Sequence, residues 1–185
     1  CKDDAIDMCG TGGDALGTFN ISTAASFVVA GAGVPVAKHG NRSMTSNSGS
    51  ADVLTALGVD ITLPPEKVSE CIQNIGIGFM FAPSLHPAMK YAMGARKALE
   101  TRTVFNILGP LCNPAGVKRQ LMGIFDGNLT DRIAKVLQRL GSTHAMVVHG
   151  KEGLDEISTT DETKYTELKS DGEINSGTLS PSSFG

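Results

Sequence analysis

Short apolar runs alternate along this chain with segments of helical periodicity, and that alternation restricts the fold more than any other feature. Ala5 to Cys9, Val34 to Ala37, Ile77 to Ala82, Leu121 to Phe125 and Ala145 to Val148 have the length and apolar character of buried strands. Helical patterns fill the gaps. Ser22 to Ala30 reads as a buried helix capped by Ser22 or Thr23, and another runs from near Ser50 through Val53, Leu54 and Leu57 to Gly58. Pro64-Pro65 opens a third with Val68, Ile72 and Ile75 on one face, and His86 to Leu99 is a fourth, rich in Ala and Met. Leu129, Ile133, Val136, Leu137 and Leu140 make an amphipathic helix ended by Gly141. Asn106 to Pro114 falls in a loop, and from about Thr159 the chain turns polar, with one weak strand around Tyr165. The pattern predicts one α/β domain over residues 1–185, a mainly parallel central sheet with helices on both faces, and a peripheral 159–185 segment. Ligands in such folds gather at the carboxyl ends of strands, where three glycine-rich or charged loops fall here.

Charge and cysteine content narrow the function classes. The net charge is −3 and no basic run exceeds Lys118-Arg119, which argues against a nucleic-acid or membrane-surface partner. Cys1, Cys9, Cys71 and Cys112 lack CxxC or zinc spacing and read as reduced thiols of a cytoplasmic protein. No apolar run reaches transmembrane length. A start at Cys1, directly on a charged turn and strand, predicts an excised or trimmed fragment.

Three constellations can carry chemistry. Gly10-Thr11-Gly12-Gly13-Asp14, followed by Thr18-Phe19-Asn20-Ile21-Ser22-Thr23 at a helix start, offers backbone N–H groups, hydroxyls and a helix dipole to an anion. It is neither a Walker loop nor a GxGxxG fingerprint, and a plain strand-to-helix turn explains it equally well. Lys38-His39-Gly40-Asn41-Arg42-Ser43-Met44-Thr45-Ser46, continuing to Ser48-Gly49-Ser50-Ala51-Asp52, places two cations and a run of hydroxyls after a strand, as a phosphate clamp requires. Asp155-Glu156 could ligate Mg²⁺, although on its own such a pair reads as a solvated acidic turn. Taken alone, Arg96 reads as a solvated helix residue; His86, ten residues earlier on the same predicted helix, faces another side. Met80, Met89 and Met93 read as core packing, and His144 and His149 as strand-edge or turn residues.

Together these segments resemble the anthranilate phosphoribosyltransferase family, and the resemblance runs from Asp7 to Gly185. It includes Gly78-Phe79-Met80-Phe81-Ala82-Pro83, His86-Pro87-Ala88-Met89 and Arg102-Thr103-Val104-Phe105-Asn106-Ile107-Leu108-Gly109-Pro110-Leu111. Pyrimidine nucleoside phosphorylases share the Lys-His-Gly-Asn-Arg stretch but lack the Phe-Asn-Ile-Leu-Gly-Pro-Leu segment and this glycine loop. The resemblance implies transfer of the 5-phosphoribosyl group from phosphoribosyl diphosphate to the amine of anthranilate, in tryptophan biosynthesis. It assigns the donor to Gly10, Gly13, Asp14, Thr18, Asn20, Ile21, Ser22, Thr23, the stretch Lys38, His39, Gly40, Asn41, Arg42, Ser43, Met44, Thr45, Ser46, and Ser50. Anthranilate would meet Gly10, Asn41 and Arg96, with His39, Gly109 and Pro110 along its path. Ser22, Asp155 and Glu156 would bind two Mg²⁺ ions, and no residue is assigned as general acid or base. Met44 and Asn47 depart from the small or basic residues usual in the second loop. The family's N-terminal helical subdomain, which helps form its homodimers, is expected to be missing here, so a phosphate-binding module left by truncation is one rival expectation; nucleoside phosphorolysis is a second, separate one.

Overall fold

The computed structural model describes residues 4–12, 16–43, 48–99, 101 and 103–184, apart from the side chains of 93 and 95–97. Seven strands form one sheet: β1 (Ile6–Gly10), β2 (Val36–Gly40), β3 (Ile77–Phe81), β4 (Arg119–Gly123), β5 (His144–Gly150), β6 (Thr163–Leu168) and β7 (Ile174–Leu179). Their order is β3-β2-β1-β4-β5-β6-β7. The first five run parallel, and β6 and β7 add an antiparallel edge. β1 is the middle one of the five parallel strands, so its carboxyl end is flanked by those of β2 and β4, a natural place for a ligand.

Helices cover both faces, as expected. The helices are α1 (Ile21–Gly31), α2 (Ser50–Ala56), α3 (Pro65–Ile75), α4 (Ala82–Leu85), α5 (Lys90–Leu99), α6 (Phe105–Leu111) and α7 (Thr130–Arg139). On one face, Ile133, Ala134 and Leu137 of α7 pack on Cys9, Met122, Ala145 and Val147, joined by Ile107 and Leu111 of α6. Val68 and Ile72 of α3 pack there on Ala37 and Met80. The opposite face carries α1 over β1 and β2, and α2, whose Ala51 and Leu54 meet Phe79 and Phe81. Gly58 and Gly141 end α2 and α7 with φ of 84° each, a conformation that favours glycine.

Several local expectations are corrected. Asn20, not Ser22 or Thr23, occupies the N-cap position of α1, and no side chain caps it. α1 is not a buried helix: Thr23 and Ser26 are its buried residues, while Phe27 and Val28 are exposed. The small hydroxyl side chains of Thr23 and Ser26 allow the closer approach to the sheet. Ile75 is likewise exposed, while Val68 and Ile72 are buried. The predicted helix from His86 to Leu99 is α4, a 3₁₀ turn at Pro87–Met89 and α5. Pro87 disfavours the helical region for the residue before it, and His86 adopts φ −123°, ψ 65°. The loop predicted over 106–114 instead begins as α6, with Pro110 inside the helix. Residues 159–185 are not wholly peripheral: Thr163, Thr166 and Leu168 are buried in β6, which pairs along its length with β5.

Candidate active site

The loop leaving β1 is tied to the neighbouring strand ends. Thr11 N–H donates to the Gly123 carbonyl at 3.0 Å, and Thr11 Oγ1 accepts from Phe125 N–H at 3.0 Å. Gly12, at φ 68°, turns its N–H onto Asp155 Oδ2 at 2.6 Å. Asp155 and Glu156 lie in the loop after β5, and Glu156 Oε1 accepts the Ser22 N–H at 3.1 Å at the start of α1. Lys38, buried in β2, donates from Nζ to the Met8 carbonyl at 2.5 Å and to Ser22 Oγ at 3.1 Å. Gly10, Ser22, Lys38, Asp155 and Glu156 therefore lie together, although Lys38 lies under the cluster rather than on its surface.

The electrostatics of this cluster are unbalanced. Burial, reinforced by the Asp155 charge, raises the Glu156 pKa to about 7 against the opposing influence of Lys38 and of hydrogen bonds from Ser22. Burial lowers the Lys38 pKa, opposed by the carboxylates of Asp7 and Glu156. Two adjacent carboxylates with a hydroxyl beside them suit a hard divalent cation, which relieves their mutual repulsion. No group of three or more His, Cys, Asp or Glu able to hold a metal occurs among the described residues. The donor set thus fits Mg²⁺ sharing its shell with phosphate oxygens better than an all-protein cage.

The loop after β2 is organised by Asp52, a residue of the motif that received no role from sequence. Its carboxylate accepts from Arg42 Nη1 at 2.8 Å, Gly49 N–H at 2.8 Å and Ser43 N–H at 3.1 Å. Those bonds, the Gly49 and Ser43 amides first, hold its pKa below the ordinary value. Asn20 Nδ2 donates to the Ser48 carbonyl and Ser48 Oγ to Asn20 Oδ1, each at 3.1 Å, joining the two loops. Asn41 and Arg42 face solvent, Gly40, Ser43 and Ser50 are half-buried, and the Arg42 guanidinium stands 5.8 Å from the Phe81 ring centre.

His39, buried at the end of β2, faces α6. Its N–H donates to Asp7 Oδ1 at 3.1 Å, and its ring Nε2 lies 3.1 Å from His86 Nε2. Burial first, then His86, lower its pKa to about 4, against a hydrogen bond to the Gly109 backbone that raises it. With Nδ1–H on that carbonyl, Nε2 of neutral His39 accepts and His86 donates. Pro110 is buried beside them, its carbonyl accepting from Gln120 Nε2 at 2.6 Å. Sequence reading missed His86, although the His-Pro step that takes it off the helix was the available signal.

Other predicted residues are less engaged. Thr18 is exposed and Ile21 half-buried. Thr23 Oγ1 is buried and has no hydrogen-bond partner among the described residues. Arg96 lies on α5, with its side chain outside the described residues. Gly13, Asp14, Met44, Thr45 and Ser46 also lie outside them.

The family described as glycosyl transferase family, a/b domain, matches residues 2–185. The chain belongs to this family. It is 58% identical over 183 residues to an anthranilate phosphoribosyltransferase of Afipia carboxidovorans, covering 99% of this chain and 54% of that relative. Its counterpart from Methanosarcina acetivorans is 61% identical over 180 residues, covering 97% of this chain and 48% of the relative. The crystal structure of the Thermus thermophilus enzyme superposes with a TM-score of 0.89 at 43% identity, covering 100% of this chain and 54% of that one. The Saccharomyces cerevisiae enzyme, in complex with PRPP and Mg, gives 0.89 at 34% identity, covering 98% of this chain and 50% of that one. The chain thus spans about half the length of these family members.

Proposed function

We propose that this chain is the catalytic α/β domain of an anthranilate phosphoribosyltransferase, joining phosphoribosyl diphosphate to anthranilate in tryptophan biosynthesis. The observation that carries the reading is the convergence of Gly12, Ser22, Lys38, Asp155 and Glu156 at adjoining strand ends, beside a hydroxyl-rich loop. The similarity of the chain to named transferases supports it. The β1 loop and α1 start, with the loop from Lys38 to Ser50, take the donor's phosphates. Ser22, Asp155 and Glu156 hold two Mg²⁺ ions, whose charge neutralises that of the departing diphosphate. Asn41, His39, Gly109, Pro110 and Arg96 receive anthranilate, and Arg96 forks onto its carboxylate. The whole protein acts as a cytoplasmic homodimer in this reading, and among the described residues no helix is long and apolar enough to cross a membrane.

Chemistry follows from position. The anthranilate nitrogen attacks ribose C1′ with inversion; the C1′–N bond forms as the C1′–O bond to diphosphate breaks, and the amine gives up a proton. The free aromatic amine is already nucleophilic, so alignment lowers the barrier more than a strong base would. Lys38 keeps the Ser22 hydroxyl oriented, and Gly12 N–H keeps Asp155 in place. The test is product fluorescence with phosphoribosyl diphosphate, anthranilate and Mg²⁺, beside calorimetry with the donor. Turnover is expected. Base release from thymidine or uridine with phosphate, without anthranilate turnover, would overturn the reading in favour of a phosphorylase. Donor binding without turnover would reduce the chain to a binding module.

A further inference from the structure

Gly123 enters the site as described only through its carbonyl, which accepts the Thr11 N–H, yet the space above it is the tightest at any glycine on the sheet. A Cβ built there would lie 1.6 Å from the Asp155 carbonyl oxygen and 2.5 Å from its carbon. Gly10 is its register partner on the adjacent parallel strand, so both lack a side chain on the same face. A Cβ on Gly10 would stand 2.6 Å from Asp155 Oδ2 and 3.3 Å from the Asp155 carbonyl. The pair makes a bare patch at the ends of β1 and β4, and the backbone of the Asp155-Glu156 loop rests on it. From that seat Asp155 reaches Gly12 N–H and Glu156 reaches Ser22 N–H.

We propose that Gly123 is a positioning residue for the divalent-cation site: with Gly10, it sets the height at which the Asp155-Glu156 loop crosses the sheet. This rests on the reading of the site given above. A methyl group at Gly123 meets backbone, which cannot rotate away, so the whole loop must rise. One at Gly10 meets the Asp155 carboxylate oxygen first, at 2.6 Å, and the backbone carbonyl only at 3.3 Å, so it displaces chiefly the side chain. The two substitutions should thus be graded in effect, Gly123→Ala above Gly10→Ala.

The experiment measures affinity for phosphoribosyl diphosphate by calorimetry, with and without saturating Mn²⁺, on the wild type, Gly123→Ala, Gly10→Ala and Gly78→Ala. The readout is the gain in affinity that the cation brings. Gly123→Ala should cut that gain roughly tenfold or more, the usual scale for disturbing the support of metal ligands, and leave the cation-free affinity near wild type. Gly78→Ala is the control for packing alone. Its Cβ would strike Ile72 and Val68 under α3, so its melting temperature should fall with the cation gain intact. A folded Gly123→Ala protein with a gain within twofold of wild type overturns the proposal. If Gly123→Ala does not fold, Gly10→Ala decides: an intact gain there overturns it and a reduced one supports it. A wild type in which Mn²⁺ brings no gain defeats the site reading itself, and this proposal with it.

Discussion

Replacing His39 by Gln should make stability less dependent on pH between 4 and 7.5, by an amount the structure sets. The imidazole is buried and faces a second imidazole, and its pKa is lowered from 6.5 to about 4. The folded state therefore binds this proton less readily than the unfolded chain. The stability contributed is full above 6.5 and is lost as pH falls through the interval down to about 4. At about 1.4 kcal/mol per pH unit, the displacement corresponds to about 3 kcal/mol, of which about 2.5 kcal/mol falls between pH 7.5 and 4.5. Burial is the main cause and His86 the second: protonated His39 would present an N–H to Nε2 of His86. Glu156 and Asp7, whose pKa values are raised chiefly by burial, act with the opposite sign as pH rises. The quantity to compare is thus the difference between wild type and His39→Gln at each pH, from which those contributions cancel. Urea unfolding with chelator present should show the gap moving by about 1 M or more in favour of the variant at pH 4.5. A gap that stays constant within about 0.5 kcal/mol would refute the argument.

Three further outcomes are expected. Arg96→Ala should raise the KM for anthranilate roughly 10- to 100-fold and leave that for the ribosyl donor nearly unchanged, since only the acceptor's carboxylate loses its fork of donors; steady-state kinetics in both substrates checks it. Asp52→Ala should release Arg42, Ser43 and Gly49, raising the KM for phosphoribosyl diphosphate and costing about 1 kcal/mol of stability by urea unfolding. Because Glu156 titrates at about 7, divalent cation binding at pH 6.5 should expel up to about one proton, seen as buffer-dependent heat in calorimetry and absent in Glu156→Gln.

The parallel part of the sheet was legible because its strands are covered on both faces and therefore read as continuous apolar runs. α6 was not, since Gly109-Pro110 carries the signature of a break; what holds the helix is tertiary, Ile107 and Leu111 on the core and Gln120 on the Pro110 carbonyl. The second strand of the terminal hairpin had a signal that went unused, Asp171-Gly172, where Gly172 turns the chain at φ 87°. In the site, the Gly10 and Lys38 loops were legible as local patterns. Asp155 and Glu156 looked like a solvated turn because their meaning depends on Gly12 and Ser22, 143 and 134 residues away in sequence. His86 was misplaced for the same reason, its partner being 47 residues back on β2.

The charges around the site explain why its loops are tied together. Lys38 is the buried cation at the strand ends among the described residues, and it is already engaged by Met8 and Ser22, with Asp7 and Glu156 exerting their charges on it. Asp155 and Glu156 then leave the region with an excess of carboxylate. A diphosphate ester brought against that excess is repelled unless cations come with it, and a cation alone gains no phosphate oxygens to complete its shell. On the proposed reading, donor and cation affinity are one linked quantity, and each ligand strengthens the other by the same factor. Such a shared site binds more tightly when the fold already holds its carboxylates in position. Gly12 N–H on Asp155, Ser22 N–H on Glu156 and the bare glycine pair beneath hold the two carboxylates within the fold. The ordering cost is therefore met during folding, which leaves more of the interaction energy for binding the charged donor.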